Sequence, residues 1–402
     1  MAKMLKEESL ELPRSVRLLH TLEGNQGEID CVAFHPRVAI LASGGKDGTV
    51  KLWDVQNGRV IRAFEGGEGG IETVAFDPQG EILVAAGGGL RLWEVQTGKL
   101  LRELESDVGS VSVAFSPQGA TLASGRADET VIIWDLHSGR LLRTLEGHGG
   151  TVWSLAFDPR GKTLASGSWD NTTKLWDAQS GQLLQTLESS NPVFSVDFDP
   201  KGSILATIDG PSVKLWDIAS GKLQRSLEGH AVTVECLAFA DKGRLLVSKG
   251  DDASVRIWSC SDWNQVESFP DDSCAERWTR SLASHPELPF LATIFGDREC
   301  IHIWELDLPR LRDRRGQAAH HTTGKIVLVG DHSVGKSALG YRLIHGRFEK
   351  QESTHGQQFW VYPELGKRRP DGTECEAILW DFAGSRIIGW FMRCMSIMPI
   401  WR

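Results

Sequence analysis

Seven tryptophans, Trp53, Trp93, Trp134, Trp176, Trp216, Trp258 and Trp304, stand 40, 41, 42, 40, 42 and 46 residues apart. Each closes the same short phrase, from Lys51-Leu52-Trp53-Asp54 to His302-Ile303-Trp304-Glu305. Such a period constrains the fold strongly, because one supersecondary unit must stack on its own copies to bury its apolar face. In the unit ending at Trp176, the alternating stretch Val152 to Phe157 runs into an Asp158-Pro159-Arg160-Gly161 turn. Leu164 to Ser168 follows, then a turn at Asp170-Asn171, then Thr173 to Asp177. Alternation at period two, broken by turn residues at short regular intervals, predicts four antiparallel strands per unit.

Seven such sheets set around an axis bury both faces of each sheet without long open edges. The expected fold is therefore an all-β seven-bladed β-propeller over residues 14–308, after an N-terminal tail at 1–13. The net charge of −9 argues against a general nucleic-acid binder. The acid excess lies in the repeats: residues 1–315 balance at −12 and the remainder at +3. The seven cysteines are scattered with no Cys-x-x-Cys pair, so neither a disulfide framework nor a zinc site is expected. With no apolar leader and no long apolar run, no membrane span is expected and a cytoplasmic location is. Oligomeric state is not readable from these features.

The repeats resemble the WD40 family. The most complete unit carries His148, Ser166, Asp170 and Trp176, residue types that in the family form a hydrogen-bonded chain across a blade. A second unit matches with His230, Ser248, Asp252 and Trp258. Others depart: Asn25, Gly67 and Asp107 stand at the His position, and Gly87 where the turn Asp would sit, so those blades are expected to be less rigid. Arg17-Leu18-Leu19-His20-Thr21-Leu22-Glu23-Gly24 copies the leader of the later units, yet no unit precedes it. The resemblance implies that residues 14–24 latch the ring as the outer strand of its last blade. It also implies that positions just after the His turn and just before the turn Asp face the central opening. Here these include Asp30, Glu72, Trp153, Trp169, Phe194 and Glu235, a set that would suit a basic or aromatic protein partner.

After Trp304 the phrase changes. Residues 309–323 read as a linker by composition. Lys325-Ile326-Val327-Leu328-Val329 then reads as a buried strand running into Gly330-Asp331-His332-Ser333-Val334-Gly335-Lys336-Ser337. That is the phosphate-loop pattern with every fixed position filled. Its glycines let successive backbone N–H groups, continuing to Ala338, point at phosphate oxygens at the start of the next helix. Lys336 supplies charge to the outer phosphates and Ser337 a hydroxyl for Mg²⁺.

Downstream, Ala377-Ile378-Leu379-Trp380 leads into Asp381-Phe382-Ala383-Gly384. The stretch 324–384 resembles the first half of a Ras-like small GTPase, especially its Rab-like and Roc-like members. The resemblance implies GTP or GDP with Mg²⁺ as ligand, Asp381 reaching the metal through water, and the Gly384 N–H at the γ-phosphate. Thr354 is the expected switch residue on Mg²⁺, with Ser353 the alternative. Ser385 stands where the family places a water-orienting Gln, and no Asn/Thr-Lys-x-Asp segment for guanine follows. Catalytic residues are therefore not assigned.

Residues 385–402 read as lacking family character, and a complete domain of that family needs about twice the length present. A lost base in the Gly384 codon would restore a Gln and a helix-then-strand pattern, so a frameshifted fragment of a longer propeller–GTPase is expected. Absence of a GTPase continuation in both alternate frames would dismiss this reading. The chain as a whole reads as an interaction scaffold carrying a partial GTP-binding module. The alternatives are a scaffold with a vestigial tail and, behind it, an ATP-using P-loop enzyme.

Overall fold

The computed structural model describes residues 12–23, 27–67, 69–104, 109–271, 281–295, 300–313, 321–328, 357–362 and 374–382. The chain divides into two compact units, Met1–Ala318 and Ala319–Arg402. The first is a seven-bladed β-propeller of four-stranded sheets. Blades 1 to 6 span residues 29–65, 71–104, 110–145, 152–188, 196–227 and 234–270.

Blade 4 shows how the sequence makes a blade. Its strands are Val152–Phe157, Thr163–Ser168, Thr172–Asp177 and Leu183–Glu188, paired in chain order. Between the first two, the Asp158 carboxylate accepts the backbone N–H of Lys162 at 2.6 Å and of Thr163 at 2.7 Å. Gly161 takes φ +69°, which a side chain would resist. Blades 2 and 5 place Asp77 and Asp199 at the same turn, while blades 1 and 7 place His35 and His285 there. His35 Nδ1 accepts the N–H of Arg37 and Val38, both at 3.1 Å, doing the carboxylate's work with a neutral ring.

Apolar side chains gather in seven clusters, one between each pair of neighbouring blades. Each repeated tryptophan packs against the preceding blade; Trp176, for example, joins Ile133 and Leu145 of blade 3. Blade 7 is made from Leu282–Ser284, Phe290–Phe295 and Cys300–Leu306, with Val16–Glu23 as its outer strand. Val16 lies opposite Leu306 and Leu22 opposite Ile301, in antiparallel register. Leu22 also enters the cluster between blades 7 and 1, so the first strand seals the ring on its apolar side too.

The segment read as a linker from 309 begins instead as a helix, Leu308–Asp313. Its Leu311 is buried in the cluster between blades 6 and 7. Arg312 Nε donates to Asp241 Oδ2 at 2.7 Å, and Arg310 Nη1 to the Arg14 carbonyl at 3.0 Å. The Asp307 N–H bonds the Ser15 carbonyl at 2.8 Å, tying the strand's exit to the first strand's start.

The second unit contains a three-stranded sheet of His321–Leu328, Glu374–Phe382 and Gln357–Tyr362, with Glu374–Phe382 in the middle. The middle strand runs parallel to the first and antiparallel to the third.

Candidate functional sites

The four side chains singled out on blade 4 form one bonded chain. His148 Nδ1 lies 2.8 Å from Asp170 Oδ2, and His148 Nε2 lies 2.6 Å from Ser166 Oγ. The Trp176 indole N–H donates to Ser166 Oγ at 2.8 Å. A carboxylate only accepts, so Nδ1 carries the proton toward Asp170. In the neutral ring Nε2 then accepts from the Ser166 hydroxyl. Asp170 also accepts the Gly149 N–H at 2.9 Å and the Thr172 hydroxyl at 2.7 Å. Burial alone would raise its carboxyl pKa, but these bonds from His148, Gly149 and Thr172 outweigh it and hold the group well below the usual range. Blade 6 repeats the arrangement through His230, Asp252, Ser248 and Trp258, with bonds of 3.0, 2.8 and 2.9 Å.

Four of the remaining five blades keep the tryptophan bond and change the rest. Trp53 and Trp134 donate to Ser43 and Ser124, and Trp216 and Trp304 to Thr207 and Thr293. Blade 2 has Ala85 at the serine register, opposite Arg91. There the Arg91 guanidinium occupies the space beside Gly67 that a histidine would need, 2.8 Å from an added Cβ. It bonds the Glu65 carbonyl at 3.3 Å and the Glu103 carboxylate at 2.9 Å. Asn25 and Asp107 lie outside the described residues. These sets are built into the blades and are structural.

Of the residues expected at the central opening, Asp30, Glu72, Trp153 and Glu235 occupy equivalent places on inner strands. Phe194 lies just before the inner strand of blade 5, and Trp169 just after the second strand of blade 4. Ser154 Oγ accepts the Val196 N–H at 3.1 Å, and Ser195 Oγ accepts the Leu237 N–H at 3.3 Å. That register sets Trp153, Phe194 and Glu235 side by side around the mouth. Trp153, Trp169 and Phe194 form one aromatic group, with ring centroids 6.4, 6.3 and 5.6 Å apart. Phe194 is buried, whereas Trp169 is 47% exposed. Asp30 and Glu235 are buried rather than presented to solvent; Glu72 is exposed.

Glu235 Oε2 accepts the Ser281 hydroxyl at 2.9 Å. Its neighbour Asp251 has a carboxyl pKa pushed up to about 8, by burial first and then by the hydrogen bond and charge of Glu235. Below the mouth, a channel of about 310 Å³ runs between the inner strands, touching Phe34, Phe76, Asp197 and Cys236. At the junction of blades 6 and 7, Lys249 and Asp271 are fully buried 3.1 Å apart, and His302 Nδ1 meets Asp271 at 3.0 Å. Sequence reasoning missed this cluster because its members lie on separate strands with no shared spacing.

In the second unit, Leu328 pairs with Asp381 across the parallel strands. The carboxyl ends of these two strands thus lie at the same edge of the sheet. In open α/β sheets ligands bind outside the carboxyl ends of such strands. The loop residues Gly330, Asp331, His332, Ser333, Val334, Gly335, Lys336, Ser337 and Ala338, with Thr354 and Gly384, lie outside the described residues.

The WD domain, G-beta repeat, family model matches residues 16–54, 98–135, 139–177, 181–217 and 221–259. The chain is a WD40-repeat β-propeller protein. The two units that the family model passes over are those of Trp93 and Trp304, where Ala85 replaces the serine and where the spacing stretches to 46 residues. Residues 325–394 match the Roc (Ras of Complex) domain of DAPkinase. Residues 385–394, read above as lacking family character, fall inside that match.

Among similar proteins, Lissencephaly-1 homolog 1 of Paramecium tetraurelia is 51% identical over 37 residues, 9% of each chain. Nuclear distribution protein PAC1 of Coccidioides posadasii is 46% identical over 41 residues, 10% of this WD40 chain and 9% of its own. Nuclear distribution protein nudF of Aspergillus niger is 47% identical over 49 residues, 12% and 11% respectively. The WD40 chain therefore spans about a tenth of the length of the curated relatives it matches.

Proposed function

We propose that this WD40 protein is a protein-interaction scaffold that docks a partner at the propeller mouth and carries a Ras-like nucleotide-binding module. The observation behind the docking face is the aromatic group of Trp153, Trp169 and Phe194, with one large indole held open to solvent. Isolated exposed apolar residues are ordinary, but a supported aromatic anchor at a concave mouth is the usual centre of an interface. A pull-down from a native extract, quantified for the wild-type chain and for Trp153→Ala/Trp169→Ala, tests this. Loss of a defined set of proteins on substitution supports it, and an unchanged set refutes it.

For the second unit, GDP or GTP with Mg²⁺ is the ligand we infer. Gly330 to Ala338 would cradle the phosphates, with Ser337, Thr354 and Asp381 at the metal and Gly384 at the γ-phosphate. The parallel pairing of Leu328 with Asp381 supports this by bringing the phosphate-loop strand and the Mg²⁺ aspartate strand to one side of the sheet. Titration calorimetry of the full chain with GDP, GTP and ATP plus Mg²⁺ is the test. Guanine-selective binding that Lys336→Ala abolishes is expected. Heat from ATP alone would move the module to another P-loop class, and no heat from any nucleotide would leave only the scaffold.

A further inference from the structure

We propose that the propeller mouth takes an arginine side chain presented by its partner, stacked on the Trp169 indole, with the largely buried Glu235–Asp251 carboxyl pair supplying a negative field beneath the rim. This rests on the mouth being the docking face. Blade 4 carries Trp153 and Trp169 at the two mouth-facing positions; blade 6 carries Glu235 and Asp251 at the same two. Phe194 of blade 5 stands between them and braces Trp169, with ring centroids 5.6 Å apart and planes at 75°. An aromatic platform therefore sits two blades from a largely buried carboxyl pair.

Among the described residues, the cations on these loops are matched. Arg126 pairs with Asp128 at 3.2 Å, Lys249 is buried on Asp271, and Lys46 pairs with Glu28. Glu72 adds an exposed carboxylate to the rim. Among the described residues the balance at the mouth is negative, as it is in sequence for residues 1–315 as a whole. A planar guanidinium stacks on an indole while still donating to carboxylates, which a lysine ammonium does less well. One further group calls for a partner. The Trp153 indole Nε1–H is buried with no hydrogen-bond acceptor among the described residues, and a backbone carbonyl flanking the arginine would satisfy it.

The test is selection of a random peptide display library on the immobilised full chain, repeated on Trp169→Ala, Trp169→Phe and Glu235→Gln. An enriched arginine at one fixed position, lost on Trp169→Ala and retained on Trp169→Phe, is expected. In calorimetry with the selected peptide, Trp169→Ala should weaken binding about three- to thirty-fold. Replacing that arginine by the uncharged citrulline should do at least as much. Enriched peptides that depend on Trp169 but share an acidic or purely apolar residue would overturn the arginine proposal and leave the docking face standing. Peptides indifferent to Trp169→Ala would remove the docking face itself.

Discussion

Ser166→Ala isolates the energetic content of the blade hydrogen-bond chain. The hydroxyl is fully buried and touches two groups that have no other partner in reach: the Trp176 indole N–H at 2.8 Å and His148 Nε2 at 2.6 Å. Removing it strands both inside the blade. A buried polar group left unpaired costs about 1–3 kcal/mol, so the substitution is expected to destabilise blade 4 by about 2–5 kcal/mol. Ala85→Ser is the converse. It supplies a hydroxyl at the same register of blade 2, opposite Arg91, and should stabilise by about 0.5–1.5 kcal/mol by pairing the Trp93 indole. Urea unfolding followed by tryptophan fluorescence reads both as midpoint shifts at constant slope. Hydrogen exchange at the Trp176 indole N–H reports blade 4 alone if the chain does not unfold in one step. A shift below about 1 kcal/mol for Ser166→Ala, with unchanged slope and exchange, would refute the view that the serine is the hub of the chain.

Leu22→Ala, at the seal between blades 7 and 1, should cost about 2–5 kcal/mol and speed exchange in those two blades before the others; thermal melting with exchange mapping checks it. Asp251 loses its proton near 3.8 when unfolded but keeps it to about 8 when folded, so it costs stability progressively as pH rises across that window. Asp251→Asn should accordingly gain about 2–4 kcal/mol over the wild type between pH 4 and pH 8, and an equal gain at both pH values would contradict this. His35 and His285 both have pKa values lowered from 6.5, by burial first, so their contribution is complete above pH 6.5 and is lost as pH falls through the lowered folded values. A His35→Asp/His285→Asp chain, with a carboxylate at both turns as in blade 2, should melt at a temperature less sensitive to pH between 7 and 5.

Much of the propeller was legible because its repeating contacts depend on particular chemistry. An indole that must find a hydroxyl and an aspartate that must gather turn N–H groups leave marks at fixed spacing. His35 and His285 do the aspartate's task with a different side chain, so those turns were invisible to a search for Asp-Pro. Arg91 is a further case, filling from the next strand the gap that Gly67 opens. The Leu308–Asp313 helix reads as linker because Pro309 and its arginines dominate its composition, yet Leu308 and Leu311 three residues apart form its apolar side. At the mouth, the sequence did not show the burial of Glu235, whose carboxylate meets Ser281 of another blade. The nucleotide motif needed no structure to be read, because the phosphate loop is local in sequence.

The pairing of Val16–Glu23 with Cys300–Leu306 has a consequence for the order of events during synthesis. A chain emerging from the ribosome can complete its first six blades while the opening strand waits, unpaired, for a partner nearly 280 residues behind it. Until Cys300–Leu306 appears, that waiting strand and the open flank of blade 1 are both exposed edges. Closure is thus the last step and a slow one, governed by a contact between distant parts of the chain. A chaperone that shields Leu18 to Leu22 during elongation would act on the one segment whose mispairing stalls the whole ring.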